Sequence, residues 1–408
     1  MTLRADPHSS SFATSCDKNP QTDKAEVILC LSHLRWNFVT QRPQHLLTRA
    51  ARDYEVVFVE EPLYREGAEP SLERSTTPEG VTVVAPVLPW GLDSVQVTRA
   101  QRRLITALVE GFDAERLIAW YYTPMALPFT RHLAPDVVVY DNMDELSAFL
   151  GAPPRTIALE RELLRRADVV FTGGVSLYEA KKGRHANIHP FPSSIDKAHF
   201  GQARGHAGEE PADQKPIPGP RLGFFGVVDE RMDLDLLARM ADLRPHWSFV
   251  MIGPVVKIDP ASLPRRPNLH WLGGKSYAEL PSYLAGWDLG IMPFAMNEAT
   301  RFISPTKTPE FLAAGKPVVS TPIVDVVRSY GRQGLVAIAG TADEFVRLAE
   351  GLMSAPRGEW LSAVDRCLAT LSWDRTWAEM NDLIRAETRV AVRPRAARTG
   401  EVADAVRL

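Results

Sequence analysis

Short apolar runs alternate with amphipathic stretches along most of the chain. The runs AEVILCLS at 25–32 and VVVY at 137–140 contain few polar positions, which is typical of strands buried on both faces of a parallel sheet. Between the runs, apolar residues recur as on the buried side of a helix. The pattern therefore predicts an α/β protein built from βα units. The other strands predicted in the first half cover 55–60, 81–87, 117–120 and 169–172.

The βα pattern starts again after residue 220. Residues 201–219, between the two halves, are rich in Gly, Pro, Ala and charge and have no apolar period, as expected of a linker. We therefore predict two Rossmann-like, doubly wound domains, at 25–200 and 220–372, facing each other across a cleft. Strands are predicted at 221–225, 247–252, 289–293 and from 318, and helices begin near 233, 277, 342 and 373.

The two ends of the chain lack this pattern. Residues 1–24 are polar and Ser-rich without an apolar core, so we predict a disordered segment rather than a signal peptide. Residues 387–408 are predicted to be a tail or a short amphipathic helix. No run approaches the roughly 18 apolar residues needed to span a bilayer. We therefore expect a protein that is soluble or peripherally attached to a membrane.

Composition and charge narrow the possible functions. A net charge of −3 gives no general case for nucleic acid binding. The three cysteines are scattered without metal or redox spacing, which suits the cytoplasm, and the histidines show no zinc pattern. Neither half begins with a GxGxxG loop, which disfavours a nicotinamide dehydrogenase. We expect no metal and no bound cofactor.

The stretch SPTKTPEFLAAGKPVVST at 304–321 is predicted to form a loop, a short helix, a tight turn and a strand. Gly315 is predicted to end the helix in the left-handed conformation. Pro309 would distort a helix that began four residues before it, because proline lacks an N–H group and its ring clashes with a carbonyl. Either the helix starts at Thr308, leaving Lys307 on a loop, or its first turn is distorted.

Two polar side chains of this stretch suggest a ligand. Lys307 lies at or just before the predicted helix start, where free N–H groups favour an anion. Glu310 could accept hydrogen bonds from two vicinal hydroxyls, such as those of a ribose. A phosphate site beside a sugar-hydroxyl acceptor indicates a nucleotide. An ordinary capped helix with surface charges would explain the same residues without any ligand.

The pattern Pro-x-Lys-x-x-Glu-Phe-Leu-Ala-x-Gly-Lys-Pro-Val-Val in this stretch resembles the donor-nucleotide motif of GT-B glycosyltransferases. It is most similar to family 4-like (group 1) bacterial enzymes that build surface polysaccharides, including the teichuronic-acid type. The resemblance covers roughly residues 25–385. It implies that Lys307 contacts the donor diphosphate, that Glu310 holds the ribose and that Thr306 lies in the same donor site.

The resemblance extends to other loops of the second half. The loop that begins at Gly226 would supply a basic residue to the diphosphate, and Arg231 is its match. Lys275 would lie near the donor base. The sequence DLD at 233–235 falls on a predicted helix, so we assign no metal to it. The sequence departs from the family at Phe302, where a second glutamate is common.

The first loop, at 33–42, resembles a subgroup that reads Trp-x4-Gln-Arg-Pro-Gln-His. Arg42 could contact a phosphate or could be a surface residue at a helix start. Trp36 could stack on a sugar or plug the core. Asp141, after the VVVY strand, could contact the acceptor side or accept a proton, or it could cap a helix. Capping is favoured for Asp144.

Together, the motif and the resemblance imply a hexosyltransferase that moves a sugar from a nucleoside-diphosphate sugar to a saccharide or lipid-linked acceptor. They imply metal independence, retention of the anomeric configuration and a helix at 373–386 that braces the first domain.

A sugar-nucleotide epimerase or hydrolase and a non-catalytic nucleotide-binding subunit are the alternatives. The basic residues of the predicted helix 99–112 either touch the inner face of the membrane or are solvated. The residues assigned to catalysis are Asp141, Arg231 and Lys307, and those assigned to donor binding are Arg42, Gly226, Lys275, Thr306 and Glu310.

Overall fold

The computed structural model describes residues 26–205 and 208–390, which form two α/β domains. The first domain has a nine-stranded sheet. Its strands are β1 (Glu26–Leu31), β2 (Glu55–Val59), β3 (Leu63–Arg65), β4 (Ser71–Thr76), β5 (Val81–Pro89), β6 (Arg116–Tyr121), β7 (Val137–Asn142), β8 (Val169–Thr172) and β9 (Ile188–Pro190). Its helices are α1 (Arg42–Ala50), α2 (Ser94–Glu110), α3 (Leu127–Thr130), α4 (Thr156–Arg166) and α5 (Val175–Lys181).

The second domain has a six-stranded sheet. Its elements, in chain order, are α6 (Lys197–Gly201), β10 (Arg221–Phe225), α7 (Leu234–Leu243), β11 (Ser248–Ile252), β12 (Leu269–Trp271), α8 (Leu280–Ala285), β13 (Leu289–Met292), α9 (Lys307–Ala313), β14 (Val318–Ser320), α10 (Val324–Ser329), β15 (Ala337–Ile338), α11 (Ala342–Ser354) and α12 (Gly358–Leu368). The last helix of the described chain is α13 (Trp373–Val390).

Both sheets have the strand order of doubly wound folds. The first runs β3-β5-β2-β1-β6-β7-β8-β9, with β4 added antiparallel to β5, and the second runs β12-β11-β10-β13-β14-β15. The ladders along both orders are parallel. The carboxyl ends of parallel strands lie at one edge of a sheet, so the loops that follow them gather there. The predicted pair of Rossmann-like domains is confirmed. The strands β3 and β4 were not predicted from the sequence.

The predicted linker at 201–219 does connect the two sheets, but its described residues are not free of packing. Gln214 is fully buried. Its amide nitrogen donates to the carbonyl of Tyr283 at 3.0 Å, and the indole of Trp287 donates to its amide oxygen at 2.7 Å. Ala203 and Ile217 of the same segment are buried in the core of the second domain. Sequence periodicity misses these contacts, because the buried residues are isolated in the segment and form no apolar stripe.

The final helix crosses back and packs against the first domain. Trp373, Trp377, Met380 and Ile384 of α13 are buried in the same core as residues of β1 and β6. The helix continues to Val390, so the first residues of the predicted tail are helical. The predictions for 1–24 and for 391–408 concern residues outside the described ranges. Among the described residues, no helix has the length and apolarity needed to cross a bilayer.

The two domains touch at the start of α5. The backbone N–H of Ser176 donates to the carboxylate of Asp325, in α10 of the second domain, at 3.0 Å. A Cβ added to Gly174 would lie 2.3 Å from an oxygen of the same carboxylate. The absence of a side chain at Gly174 therefore admits a carboxylate of the other domain. This contact helps to set the width of the cleft.

Candidate active site in the interdomain cleft

A cavity of about 670 Å³ lies between the domains. This volume is in the range of small-molecule sites, roughly 300–1,000 Å³. Loops that follow strands of both sheets contribute to its walls. Among the predicted site residues, Arg42, Gly226, Arg231, Lys275, Thr306, Lys307 and Glu310 line the cavity, whereas Asp141 does not.

The helix α9 starts at Lys307, one residue before the start proposed at Thr308. Pro309 is therefore the third residue of the helix. The first N–H groups of any helix lack partners within it, so the missing N–H of this proline costs no internal hydrogen bond. Gly315 has φ +69°, which confirms the predicted left-handed end of the helix. The motif therefore folds without the distortion that its proline suggested.

Lys307 projects its ammonium group into the cavity without a carboxylate partner. Its Nζ donates to the Thr306 hydroxyl at 3.1 Å, and within the described ranges it makes no ion pair. Burial lowers the pKa of Lys307; Glu310 raises it and Arg231 lowers it further. A cation held in this way is a ready partner for a negatively charged ligand.

Gly226 makes room for this lysine. Its φ is +142°, and an added Cβ would lie 2.8 Å from Cε of Lys307. The loop after β10 and the start of α9 therefore approach each other closely in the cavity wall. The sequence named Gly226 and Lys307 separately, and the structure brings them together.

Glu310 is 7% exposed, and its Oε2 has no hydrogen-bond partner in the described structure. Burial raises its pKa to about 7, against the opposing effect of Lys307. The hydroxyl of Tyr277, which also lines the cavity, is buried without a partner. Buried polar atoms are normally hydrogen-bonded. Ligand hydroxyl groups would satisfy both atoms. From the sequence alone, Tyr277 stands out only by its place at a predicted helix start.

We expect Glu310→Gln to change how the stability of the ligand-free protein depends on pH. Because the pKa of Glu310 is raised in the folded protein, the contribution of this carboxyl to wild-type stability is fully present below about pH 4.5. That contribution is lost as the pH rises through about 7. The free energy of unfolding of the variant, relative to wild type, should therefore rise by about 3 kcal/mol over this interval and then level off. Urea unfolding of both proteins across the interval measures it. A pH-independent difference would contradict the assigned environment.

Arg231 lies in the cavity wall but shares its charge. Its guanidinium pairs with Asp229 at 2.6 Å and lies over the ring of Phe149, from the first domain, at 5.3 Å. Burial opposes its charged form, but the hydrogen bonds and charge of Asp229 raise its pKa. The predicted basic residue of this loop is therefore positioned by one carboxylate and by one ring from across the cleft.

Lys275 also lines the cavity, but its ammonium group is already paired with Asp213 of the connecting segment. Its Nζ lies 2.6 Å from the Asp213 carboxylate and 5.5 Å from the centre of the Tyr283 ring. Contact with a donor base, which the resemblance implied, would require this lysine to share or exchange the ion pair.

Arg42 and Asp141 form a buried ion pair in the first domain. The Nε of Arg42 donates to both oxygens of Asp141, at 3.1 and 2.9 Å, and one Nη donates to the carbonyl of Phe191 at 2.7 Å. Burial raises the pKa of Asp141, and Arg42 lowers it. Arg42 begins α1 but is not a surface residue. Asp141, 0% exposed, is held away from the acceptor side where the sequence placed it.

Asp144 takes the cavity position that the sequence assigned to Asp141. It lines the cavity, and no helix cap by its side chain is found among the described residues. Burial raises its pKa, while Arg231 on the opposite wall lowers it. Trp36 both lines the cavity and packs against Phe58, with ring centres 5.0 Å apart. Phe302, the departure from the family motif, does not line the cavity.

Comparison with known proteins finds similarity to glycosyltransferases, and the family match lies in the second domain. Residues 219–355 match the family model described as glycosyl transferases group 1. The chain is 28% identical over 229 residues to the putative teichuronic acid biosynthesis glycosyltransferase TuaH of Bacillus subtilis. That alignment covers 51% of this chain and 56% of the relative, so it spans little more than half the length of each protein.

Solved structures share the whole architecture. Sucrose-phosphate synthase from Thermosynechococcus elongatus aligns with a TM-score of 0.67 and 12% identity, over 90% of this chain and 100% of its own. A trehalose-6-phosphate protein from E. coli, bound with UDP-2-fluoro glucose, aligns with a TM-score of 0.66 and 12% identity, over 88% and 99% of the two chains. This chain therefore has the GT-B fold, and its residues 219–355 are similar to glycosyl transferases group 1.

Proposed function

We propose that this protein transfers a hexosyl group from a nucleoside-diphosphate sugar to a saccharide or lipid-linked acceptor, in polysaccharide or glycoconjugate biosynthesis. The observation that carries the proposal is the pair formed by Lys307, a cation without an ion pair in the described structure, and Glu310, a buried carboxylate with an unpartnered oxygen. Both face one cavity from the first turn of α9. A diphosphate and a ribose supply the charge and the hydroxyls that these two groups lack.

The residues of the cavity suggest how the reaction would be accelerated. The bond from the anomeric carbon to the diphosphate oxygen breaks while a bond to the acceptor oxygen forms. The diphosphate then carries additional negative charge, which Lys307 and Arg231 would neutralise without a metal. Holding donor and acceptor together in the closed cleft supplies the remaining acceleration. Retention of the anomeric configuration is part of this proposal and follows the family 4 resemblance.

Asp144 replaces Asp141 as our candidate on the acceptor side. It lies in the wall formed by the first domain, and burial raises its pKa. A carboxylate of raised pKa is a better proton acceptor than an ordinary aspartate. The acceptor hydroxyl must lose its proton during transfer, and Asp144 would receive it directly or through the diphosphate.

The likeness to other proteins supports the classes of donor and product. TuaH is named for teichuronic acid biosynthesis, and one structural neighbour holds a UDP-sugar analogue. We therefore propose UDP-sugars as the first donors to test and a cell-surface saccharide as the product. The scattered cysteines favour the cytoplasm as the compartment. A lipid-linked acceptor would also require contact with the inner face of the membrane.

We expect a UDP-, GDP- or dTDP-sugar to raise the thermal unfolding midpoint of the wild-type protein. Binding to the native state alone stabilises it, by about 2.7 kcal/mol at a concentration 100 times the Kd. A thermal-shift screen followed by an assay of nucleotide release with and without saccharide acceptors tests the proposal.

The assay also separates the alternative functions. Acceptor-dependent nucleotide release supports glycosyl transfer. Release without acceptor, with an altered free sugar, would indicate an epimerase or hydrolase. Binding without turnover against any acceptor would indicate a non-catalytic subunit. Binding of no nucleotide sugar would contradict the site itself.

A further inference from the structure

The first domain carries a second groove, far in sequence from the donor motif. It has a volume of about 320 Å³ and lies where α2, α3 and the start of α4 meet. Three arginines line it, all exposed, and none makes an ion pair within the described ranges. We call this surface the α2–α4 basic patch; it is formed by Ser94, Val95, Thr98, Arg99, Arg102, Pro128 and Arg155.

One exposed apolar side chain lies in the patch, and another lies four residues before it in the chain. Trp90, four residues before α2, is 67% exposed, and Val95 within the patch is 64% exposed. The ring of Trp90 lies 5.3 Å from that of Tyr64, which is also exposed. Single exposed apolar residues are ordinary. A solvated basic helix face, the alternative left by the sequence, explains the arginines but not an exposed tryptophan in the turn just before their helix.

The combination fits the surface of an anionic bilayer. Arginine side chains near such a surface are attracted to its phosphate groups. Tryptophan is favoured at the boundary between headgroups and hydrocarbon, where its ring is partly buried and its N–H stays in a polar layer. Val95 would add apolar area on insertion. A soluble anion would use the arginines but would gain nothing from Trp90.

The fold places the patch on the active side of the first sheet. The helix α2 begins after the carboxyl end of β5, and α4 follows the carboxyl end of β7. Loops after β7 supply Asp144 to the cleft. The starts of α2 and α4 therefore lie at the same edge of the sheet as the acceptor wall of the cavity.

We propose that the α2–α4 basic patch docks this protein on an anionic lipid bilayer, with the arginines at lipid phosphates and Trp90 at the headgroup boundary. Docking rests on the patch alone. Its consequence for the reaction rests on the proposed function: a protein docked by this edge would have its acceptor wall beside the membrane, which favours the lipid-linked class of acceptor.

The test is co-sedimentation of the full chain with vesicles of phosphatidylglycerol and phosphatidylcholine, and with vesicles of phosphatidylcholine alone. We expect binding to the anionic vesicles only, weakened by added salt because surface charges are screened. The triple variant Arg99→Gln, Arg102→Gln, Arg155→Gln should lose on the order of 100-fold in partition coefficient. Trp90→Ala should weaken binding at unchanged charge.

A matched control is available in the second domain. Arg239, Arg332 and Arg347 are exposed and make no ion pair among the described residues, so their triple change to glutamine removes the same charge elsewhere. We expect this control to bind anionic vesicles within a few-fold of wild type. If both triple variants lost vesicle binding equally, binding would depend on net charge alone and not on the patch, which would overturn the proposal.

Three further results would overturn it. One is the absence of wild-type binding to anionic vesicles, and another is equal binding to neutral vesicles. The third is displacement by inorganic phosphate beyond that by chloride of the same ionic strength, which would assign the groove to a soluble anion. Donor binding, measured separately by calorimetry without vesicles, should be the same in wild type and in the patch variant. A failure of docking is therefore distinguishable from a failure of the proposed function.

Discussion

Lys307→Ala should lower kcat/KM for sugar transfer by about 100- to 1,000-fold, the cost typical of removing one preorganised electrostatic group from an active site. The reason is that Lys307 makes no ion pair in the described structure, so its charge is available to the departing diphosphate. Donor affinity should fall as well, because the donor already carries charge on its phosphates. Steady-state kinetics and calorimetry with the nucleotide sugar measure both effects.

The same variant should not lose stability. The lysine is desolvated without a carboxylate partner, as its lowered pKa shows, and removing such a charge relieves a cost. Lys257→Ala is the matched control, because this lysine lies over the Phe149 ring near the cleft but does not line the cavity. Lys307→Arg should retain part of the activity. Wild-type donor affinity in Lys307→Ala would refute the assignment of the diphosphate site.

Asp141→Leu should lower the free energy of unfolding by about 3–5 kcal/mol, because it leaves the guanidinium of Arg42 buried without its partner. The double variant Arg42→Met, Asp141→Leu should be less destabilised than Asp141→Leu alone, since no buried charge then remains. Urea unfolding at pH 7 of wild type, both single variants and the double variant gives the interaction energy.

This experiment also separates a structural from a catalytic aspartate. If Asp141 acted on the substrate, as the sequence suggested, Asp141→Asn would abolish transfer and leave the stability near that of wild type. We expect the opposite: Asp141→Asn should lower the stability, and activity should fall only as far as the loss of folded protein requires. Asp242→Asn, which breaks an exposed pair with Arg266, is the control and should change stability little.

The strands at the centre of each sheet could be predicted because burial on both faces demands uninterrupted apolar sequence. The edge strand β4 could not: it reads SLERST and is mostly exposed, so no apolar run marks it. The end of α9 was predictable from Gly315, because its left-handed conformation is a local requirement of the turn. Its start was not fixed, since Pro309 is compatible with several positions in a first turn.

The site residues also fall into two groups: those that a local sequence motif predicts and those that depend on contacts distant in the sequence. Lys307 and Glu310 belong to one local motif, and their place in the cavity follows from it. Arg42 and Asp141 are 99 positions apart in the sequence. Their pairing depends on how α1 packs beside the end of β7, which no local pattern records. The sequence indicated that both loops face the site. It did not indicate that Asp141 would be paired with Arg42 or that Asp144 would face the cavity.

The return of α13 has a consequence for the order in which the protein can assemble. Trp373 and Trp377 belong to the same core as β1 and β6, although the whole second sheet lies between them in the chain. The core on that face of the first sheet can therefore close only after the second sheet has been synthesised, whereas the core on the opposite face contains residues of the first domain alone. The second sheet is continuous in sequence from Arg221 to Ile338, so it can form while the first domain still waits for its final helix.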